Sequence, residues 1–249
     1  LAYNTAVDKL QKYRLLPDEE EFHRLLFKYV MDGYVTKYPS EPDWDILFIE
    51  VPLAHRLSLC QKWHIGVADV VVRMHGGIWL VETKHSTMIP SDWEKKYELD
   101  NQTLGYCWHL RRAGIPVVGV MLNFIRYPDG RKTKYPEFLR STYEVKDHLL
   151  LEWEEEQEVV MEEITGKWEQ AVAAWPKNTK ACFDWNRSCE YLQVCKGSIS
   201  PAEVEKSFVH RSEEREVTIL SEAITFNTQL HDHDLPKGIS TGDGSSPTS

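Results

Sequence analysis

At 249 residues, 42% of them hydrophobic and 27% charged, the chain has the length for one α/β core with a smaller appendage and the apolar content of an ordinary globular protein. A net charge of −10 argues against a protein that coats nucleic acid through its overall field. The longest apolar stretch, residues 114–125, is too short to span a bilayer, and no secretory signal opens the chain, which points away from membranes.

Residues 1–10 already read as helix interior, so a truncated N-terminus is expected. Residues 19–38 predict an amphipathic helix with Phe22, Leu25, Leu26, Tyr29, Val30 and Tyr34 on one side, which is a core-facing stripe. Residues 66–84 hold two β-branched, apolar runs separated by His75-Gly76-Gly77, the signature of a tight hairpin. With Gly76-Gly77 as a two-residue loop, His75 pairs with Ile78 and Asp69 lies opposite Lys84, with Glu82 a diagonal neighbour on the same face.

Two carboxylates on one face of an apolar hairpin are costly, because an ionised group taken from water needs a partner or a metal. A hard divalent cation such as Mg²⁺ takes one or two carboxylates and completes its shell with water and phosphate oxygens, which suits Asp69 and Glu82. An adjacent ammonium, Lys84, can orient a nucleophile or offset charge in a transition state. Taken alone, the short pattern Glu82-Thr83-Lys84 is common and is more often that of an exposed strand end with a surface ion pair.

Residues 93–113 predict a helix broken near Asp100-Asn101, which would cap its second half, and ended by Gly114. Gln102 and Tyr106, four apart, share a face of that second half. Residues 117–124 then read as a buried strand reached by an αβ crossover. Residues 111–140 contain Arg111, Arg112, Arg126, Arg131, Lys132, Lys134 and Arg140 against Asp129 and Glu137, a local excess that suits either a phosphate backbone or a solvated basic turn.

Residues 143–175 predict a long helix whose acidic run, 152–158, is a solvated face. Cys182, Cys189 and Cys195 then place three of the chain's five cysteines within fourteen residues. Thiolates at this spacing suit an iron–sulfur cluster or Zn²⁺, with a distant fourth ligand clipping the chain together. Three unrelated thiols in a reducing compartment are the alternative. From about residue 230 the sequence loses periodicity and reads as a disordered tail containing His231 and His233.

The motifs Gly66-Val-Ala-Asp69, Glu82-Thr-Lys84 and Gln102-Thr-Leu-Gly-Tyr106 together resemble the PD-(D/E)XK nuclease superfamily, and within it the RecB-like branch that includes CRISPR-associated exonucleases, over residues 46–197. That resemblance implies a restriction-endonuclease-like α/β core, a mixed central sheet flanked by helices, with a helical N-terminal part and a C-terminal cysteine-bearing segment. It implies that Asp69, Glu82 and the Thr83 backbone carbonyl hold Mg²⁺ or Mn²⁺, that Lys84 aligns the attacking water, and that Gln102 and Tyr106 position DNA. Glu50, in Phe48-Ile-Glu50-Val-Pro, and His23, on the N-terminal helix, match further metal-binding positions of relatives. The three cysteines match a structural [4Fe-4S] staple, with Zn²⁺ as the other metal; its fourth ligand is Cys60, Cys107 or a residue lost from the N-terminus.

The implied activity is divalent-metal-dependent DNA hydrolysis, as an exonuclease in recombination, repair or phage replication. Single strands or duplex ends would be the substrate, a helicase or recombination protein the partner, and a bacterial or phage-infected cytoplasm the setting. Arg111, Arg112, Arg126, Arg131, Lys132 and Lys134 are the candidate DNA contacts. The rival is a non-catalytic DNA-binding or scaffold subunit built round a structural metal centre. The expected organisation is a helical region at 1–45, a nuclease core at 46–142, a helix and cysteine segment at 143–209, and an extension at 210–249.

Overall fold

A five-stranded mixed sheet carries the fold, in the spatial order β1 (Asp45–Arg56), β2 (Trp63–Met74), β3 (Gly77–Ser86), β4 (Val117–Arg126) and β5 (Glu137–Glu144). The computed structural model describes residues 17–39, 44–89, 91–128, 135–169, 182, 188–207 and 214–232. Its helices are α1 (Pro17–Lys37), α2 (Trp93–Glu98), α3 (Asn101–Arg112), α4 (Asp147–Trp168), α5 (Leu192–Cys195), α6 (Pro201–Ser207) and α7 (Glu214–Asp232). This is the expected α/β class: a mixed sheet flanked by helices, a helical N-terminal region and a C-terminal segment bearing cysteines. No helix among the described residues is long and apolar enough to cross a membrane.

The strands β2 and β3 are antiparallel, β3 and β4 parallel, and β4 and β5 antiparallel, and the parallel step from β3 to β4 is bridged by α2 and α3 as a crossover requires. The hairpin register differs from the expected one by two residues. Met74 pairs with Gly77, leaving His75-Gly76 as the loop, and both of these residues have positive φ, 51° and 76°. Those angles define a type I′ turn, whose twist matches the flanking strands. Gly77 sits in the strand instead, where a Cβ would come within 2.7 Å of the Val118 side chain.

The chain divides into two compact units, one containing Val67–Leu150 and the segment up to Val51, the other Pro52–Gly66 and the segment from Leu151 to Asp234. In the first unit β4 is buried along nearly its whole length, as its unbroken apolar sequence requires of a strand covered on both faces. Leu104, Cys107, Trp108 and Leu110 of α3 are buried, whereas Val30 of α1 packs with Ile125 and Phe138, joined by Leu26 and Tyr34. The expected stripe on α1 is only partly used: Leu25 and Tyr29 remain exposed, and the side chain of Phe22 lies outside the described residues.

Residues 143 and 144, expected in a helix, instead end β5, and the long helix begins at Asp147. Strand pairing wins over helical periodicity here because β4 offers a ladder partner at each position, Val120 to Tyr143 and Gly119 to Glu144. The approach is so close that a Cβ on Gly119 would stand 2.1 Å from the Tyr143 carbonyl oxygen. Arg111 clamps the turn that follows, donating through Nε to the Val117 carbonyl at 3.0 Å and through its other nitrogens to the Val145 carbonyl and the Asp147 carboxylate.

In the second unit the acidic run of α4 is not wholly solvated. Glu158 is buried and accepts from the backbone N–H groups of Leu59 and Cys60 at 2.6 and 2.7 Å, and Glu154 accepts from the Ser58 N–H and hydroxyl. These carboxylates supply acceptors to the backbone amides of residues 58–60 in the turn after β1. His64 meets Trp153 edge-on at 5.0 Å between ring centroids.

Candidate active site

Side-chain alternation places Asp69 and Glu82 on one face, and the register makes them direct rather than diagonal neighbours, since they follow the Val70–Val81 pair. A shift of two residues preserves the face, so the expected grouping survives the corrected register. Asp69 Oδ2 accepts from the Thr83 N–H at 3.0 Å. Glu82, only 3% of whose side chain is exposed, accepts through Oε1 from Lys84 Nζ at 2.8 Å. Its second oxygen, Oε2, is buried with no hydrogen-bond partner among the described residues.

The next links come from α3. Lys84 Nζ also donates to Gln102 Oε1, and Gln102 Nε2 donates to the Tyr106 hydroxyl at 2.9 Å. Asp100 caps the helix, its side chain accepting from the Gln102 N–H at 3.0 Å, so the residue that starts α3 also sets the position of Gln102. Glu82, Lys84, Gln102 and Tyr106 therefore form one hydrogen-bonded chain, and Asp69 joins it through the backbone of Thr83.

Burial pushes the Asp69 carboxyl above the usual aspartate range, against the Thr83 N–H that favours its charge, and the charge of Glu50 pushes it further. Glu82 is likewise raised by burial, with the Lys84 hydrogen bond opposing and the charge of Asp69 reinforcing the shift. For Lys84 burial works downward, but the hydrogen bond and charge of Glu82, with Asp100, outweigh it and raise the ammonium's pKa. Tyr106 is raised by burial, which keeps its hydroxyl protonated. The pocket thus holds two carboxylates whose ionisation is disfavoured beside one firmly held cation.

An added divalent cation would reverse that balance for the carboxylates. The fit is chemical: oxygen donors suit a hard ion, and Glu82 Oε2 is a buried acceptor that no described residue satisfies. No group of three or more His, Cys, Asp or Glu side chains that could hold a metal occurs among the described residues. The donor set is the carboxylate pair alone, which leaves the remaining positions to backbone oxygen, water and substrate.

Residues 5–196 match the profile of the PD-(D/E)XK nuclease superfamily. The chain belongs to that superfamily. Among solved structures, that of SSO0001 is similar to it at 14% identity and a TM-score of 0.33, covering 64% of this chain and 69% of that one. No curated protein matches the chain.

Of the other expected residues of this PD-(D/E)XK chain, Glu50 lies near enough to Asp69 for its charge to act on that carboxyl. Glu50 is exposed on β1 with φ of 53°, a left-handed backbone rarely adopted by a non-glycine residue and often found at functional sites. His23 falls within α1, its side chain outside the described residues. Arg111 is engaged as described, Arg126 pairs with Glu137, and the Arg112 guanidinium lies 4.9 Å from the Trp108 ring centroid. Arg131, Lys132 and Lys134 lie outside the described residues, as does the segment 170–181 before the cysteines.

Cys182, Cys189 and Cys195 belong to the second unit and form no disulfide, and the Cys189 N–H donates to the Cys182 carbonyl at 2.8 Å. Cys60 belongs to the same unit and is part-exposed, its thiol raised by burial and by hydrogen bonding with Glu158. Cys107 is fully buried in the first unit, and burial pushes its thiol up to about 12, the behaviour of a core side chain.

Tyr97 was not legible as a site residue. Its ring centroid is 5.6 Å from Lys84 Nζ, and its carbonyl accepts from the Tyr143 hydroxyl at 2.7 Å and the Thr103 hydroxyl at 3.1 Å. Tyr97 precedes the break between α2 and α3, so helical spacing from Gln102 gives it no face; only the paired hydroxyls show where the kink directs it.

Proposed function

We propose that this PD-(D/E)XK protein is a Mg²⁺- or Mn²⁺-dependent deoxyribonuclease of the RecB-like branch, acting as an exonuclease on single strands or duplex ends. The observation that carries the reading is the buried Glu82 Oε2, which no described residue satisfies, beside Asp69 and on the strand that also presents Lys84. Asp69, Glu82 and the Thr83 carbonyl would hold the ion. When bound, such an ion polarises a phosphoryl oxygen and lowers the pKa of water.

The protein's own groups do the rest. Lys84, kept cationic by Glu82, faces the position where negative charge develops on phosphorus and orients the attacking water. Water oxygen bonds to phosphorus and releases a proton to solvent as the bond to the sugar oxygen breaks, and the departing alkoxide takes a proton from a solvent water. Gln102 fixes the Lys84 ammonium through its carbonyl and the Tyr106 hydroxyl through its amide, which leaves Tyr106 able to donate to a phosphate oxygen. Glu50 and His23 supply further metal-side groups. Arg112 and the basic loop with Arg131, Lys132 and Lys134 track the DNA backbone, whereas Arg111 and Arg126 are engaged by carbonyls and carboxylates of the fold.

Cys182, Cys189 and Cys195 hold a [4Fe-4S] cluster, or Zn²⁺ in its place, as a structural staple, with Cys60 of the same unit as the candidate fourth ligand. The expected boundaries, a nuclease core at 46–142 and a cysteine segment at 143–209, follow from this assignment, as does a cytoplasmic role with a helicase or recombination partner. The test is cleavage of end-labelled single- and double-stranded DNA with and without Mn²⁺. Metal-dependent cleavage lost in Asp69→Ala and Lys84→Ala, both still folded, supports the proposal. DNA binding without cleavage by the unaltered protein would assign it instead as a non-catalytic subunit.

A further inference from the structure

Behind the catalytic strand lies a buried polar network that the reaction described above does not use. Asn123 is 5% exposed in the middle of β4, between the apolar Leu122 and Phe124, and sits in register beside Thr83 of β3. A buried amide is tolerated only when its donors and acceptor are matched. Its Nδ2 donates to Thr83 Oγ1 at 3.3 Å, and its Oδ1 accepts from the Tyr34 hydroxyl at 3.2 Å and from Arg140 Nε at 3.4 Å.

Arg140 is itself immobilised. It donates to the Tyr34 hydroxyl, and its guanidinium lies 3.6 Å from the ring centroid of Tyr38, 4.7 Å from that of Trp44 and 5.4 Å from that of Tyr34. A planar guanidinium stacked on aromatic rings loses little further freedom when it donates, so it serves as a fixed anchor. Thr83 is consequently tied twice: its N–H to Asp69 at 3.0 Å and its hydroxyl to Asn123, from the opposite face of the sheet.

We propose that Asn123, fixed by Tyr34 and Arg140, is a positioning residue that sets the Thr83 backbone and, through it, the two metal-side neighbours Asp69 and Glu82. The inference rests on the nuclease reading, in which Thr83 and the two carboxylates face one divalent ion. It ties α1 and β5 to the site, since Tyr34 comes from the one and Arg140 from the other. Groups that orient metal ligands without touching the metal change affinity by about 10- to 100-fold when removed.

The experiment uses the full chain and three variants: Thr83→Val, which deletes only the hydroxyl, Thr83→Ser, which restores it, and Asn123→Leu. Mn²⁺ binding is measured by calorimetry without DNA, alongside kcat and KM on labelled DNA and the melting temperature. The expected result is a roughly 10-fold weaker Mn²⁺ affinity and a lower kcat at unchanged KM in Thr83→Val and Asn123→Leu, with Thr83→Ser matching the unaltered protein. A folded Thr83→Val with unaltered Mn²⁺ affinity and kcat would overturn the proposal, even if it melts earlier, and it decides the matter should Asn123→Leu fail to fold. Absence of Mn²⁺ binding by the unaltered protein would overturn the nuclease reading first and this inference with it, whereas retained binding in Thr83→Val sinks the inference alone.

Discussion

Replacing Asp69 by asparagine should make the metal-free protein more stable while removing its capacity to gain stability from metal. The amide keeps the acceptor for the Thr83 N–H but sheds a charge that burial and the carboxylate of Glu50 disfavour, and it relieves the upward push on Glu82. Because the folded-state pKa of Asp69 is raised, the native protein holds its proton longer than the unfolded chain. Stability therefore falls as pH climbs from the unfolded aspartate range through the raised value, and stays lower above it. Asparagine lacks that loss, so the gap between variant and unaltered protein opens across this window and closes below it.

Relief of such strained functional charges commonly amounts to about 1 kcal/mol, and the water that still reaches half-buried Asp69 argues for the lower part of that scale. For a domain of this size that is a rise of roughly 2–4 °C in melting temperature. Mn²⁺ at a hundredfold excess over its Kd should stabilise the unaltered protein by about 2.7 kcal/mol and Asp69→Asn by far less. Thermal melts in chelator and in Mn²⁺, repeated across acidic to neutral pH, make the comparison. A variant that melts below the unaltered protein in chelator at neutral pH, or that gains equally from Mn²⁺, would refute the reasoning.

Lys84→Met should abolish cleavage and cost about 3 kcal/mol, because it strands the buried Glu82 carboxylate; urea denaturation should show much of that loss recovered when Glu82→Gln is added. Arg111→Ala removes donors to two backbone carbonyls and should lower stability by about 2 kcal/mol in the same assay, a larger effect than any change in DNA affinity that a gel titration detects. Cys195→Ser, at an exposed thiol, should empty the protein of bound iron or zinc by elemental analysis, whereas Cys107→Ser, at a wholly buried one, should leave the metal content unchanged.

Much of the site was legible because its spacings are local. Strand alternation puts Asp69, Glu82 and Lys84 on one face whichever even register the turn selects, and a four-residue interval puts Gln102 and Tyr106 together on α3. The cap at Asp100 and the stop at Gly114 were equally local; Gly114 adopts φ of 81° while the Ile115 N–H donates to the Leu110 carbonyl at 2.9 Å, closing the helix end. Less legible was the basic stretch, since a linear reading of Arg111 and Arg126 cannot see that Val145, Asp147 and Glu137 wait for them in the folded chain.

The sequence by itself determined the α/β class, the sharing of a face by the two carboxylates and the ammonium, and the helix that adds the amide and phenol, because periodicity and capping act over a few residues. Tertiary structure alone decided that His75-Gly76 turn the hairpin, that residues 143 and 144 pair as strand, and that Tyr97 stands beside Lys84. It alone joined Thr83 to Asn123 across 40 positions and Tyr34 to Arg140 across 106. Contacts at that separation have no local signature: they exist only once the ladder and the helix packing have brought the partners together.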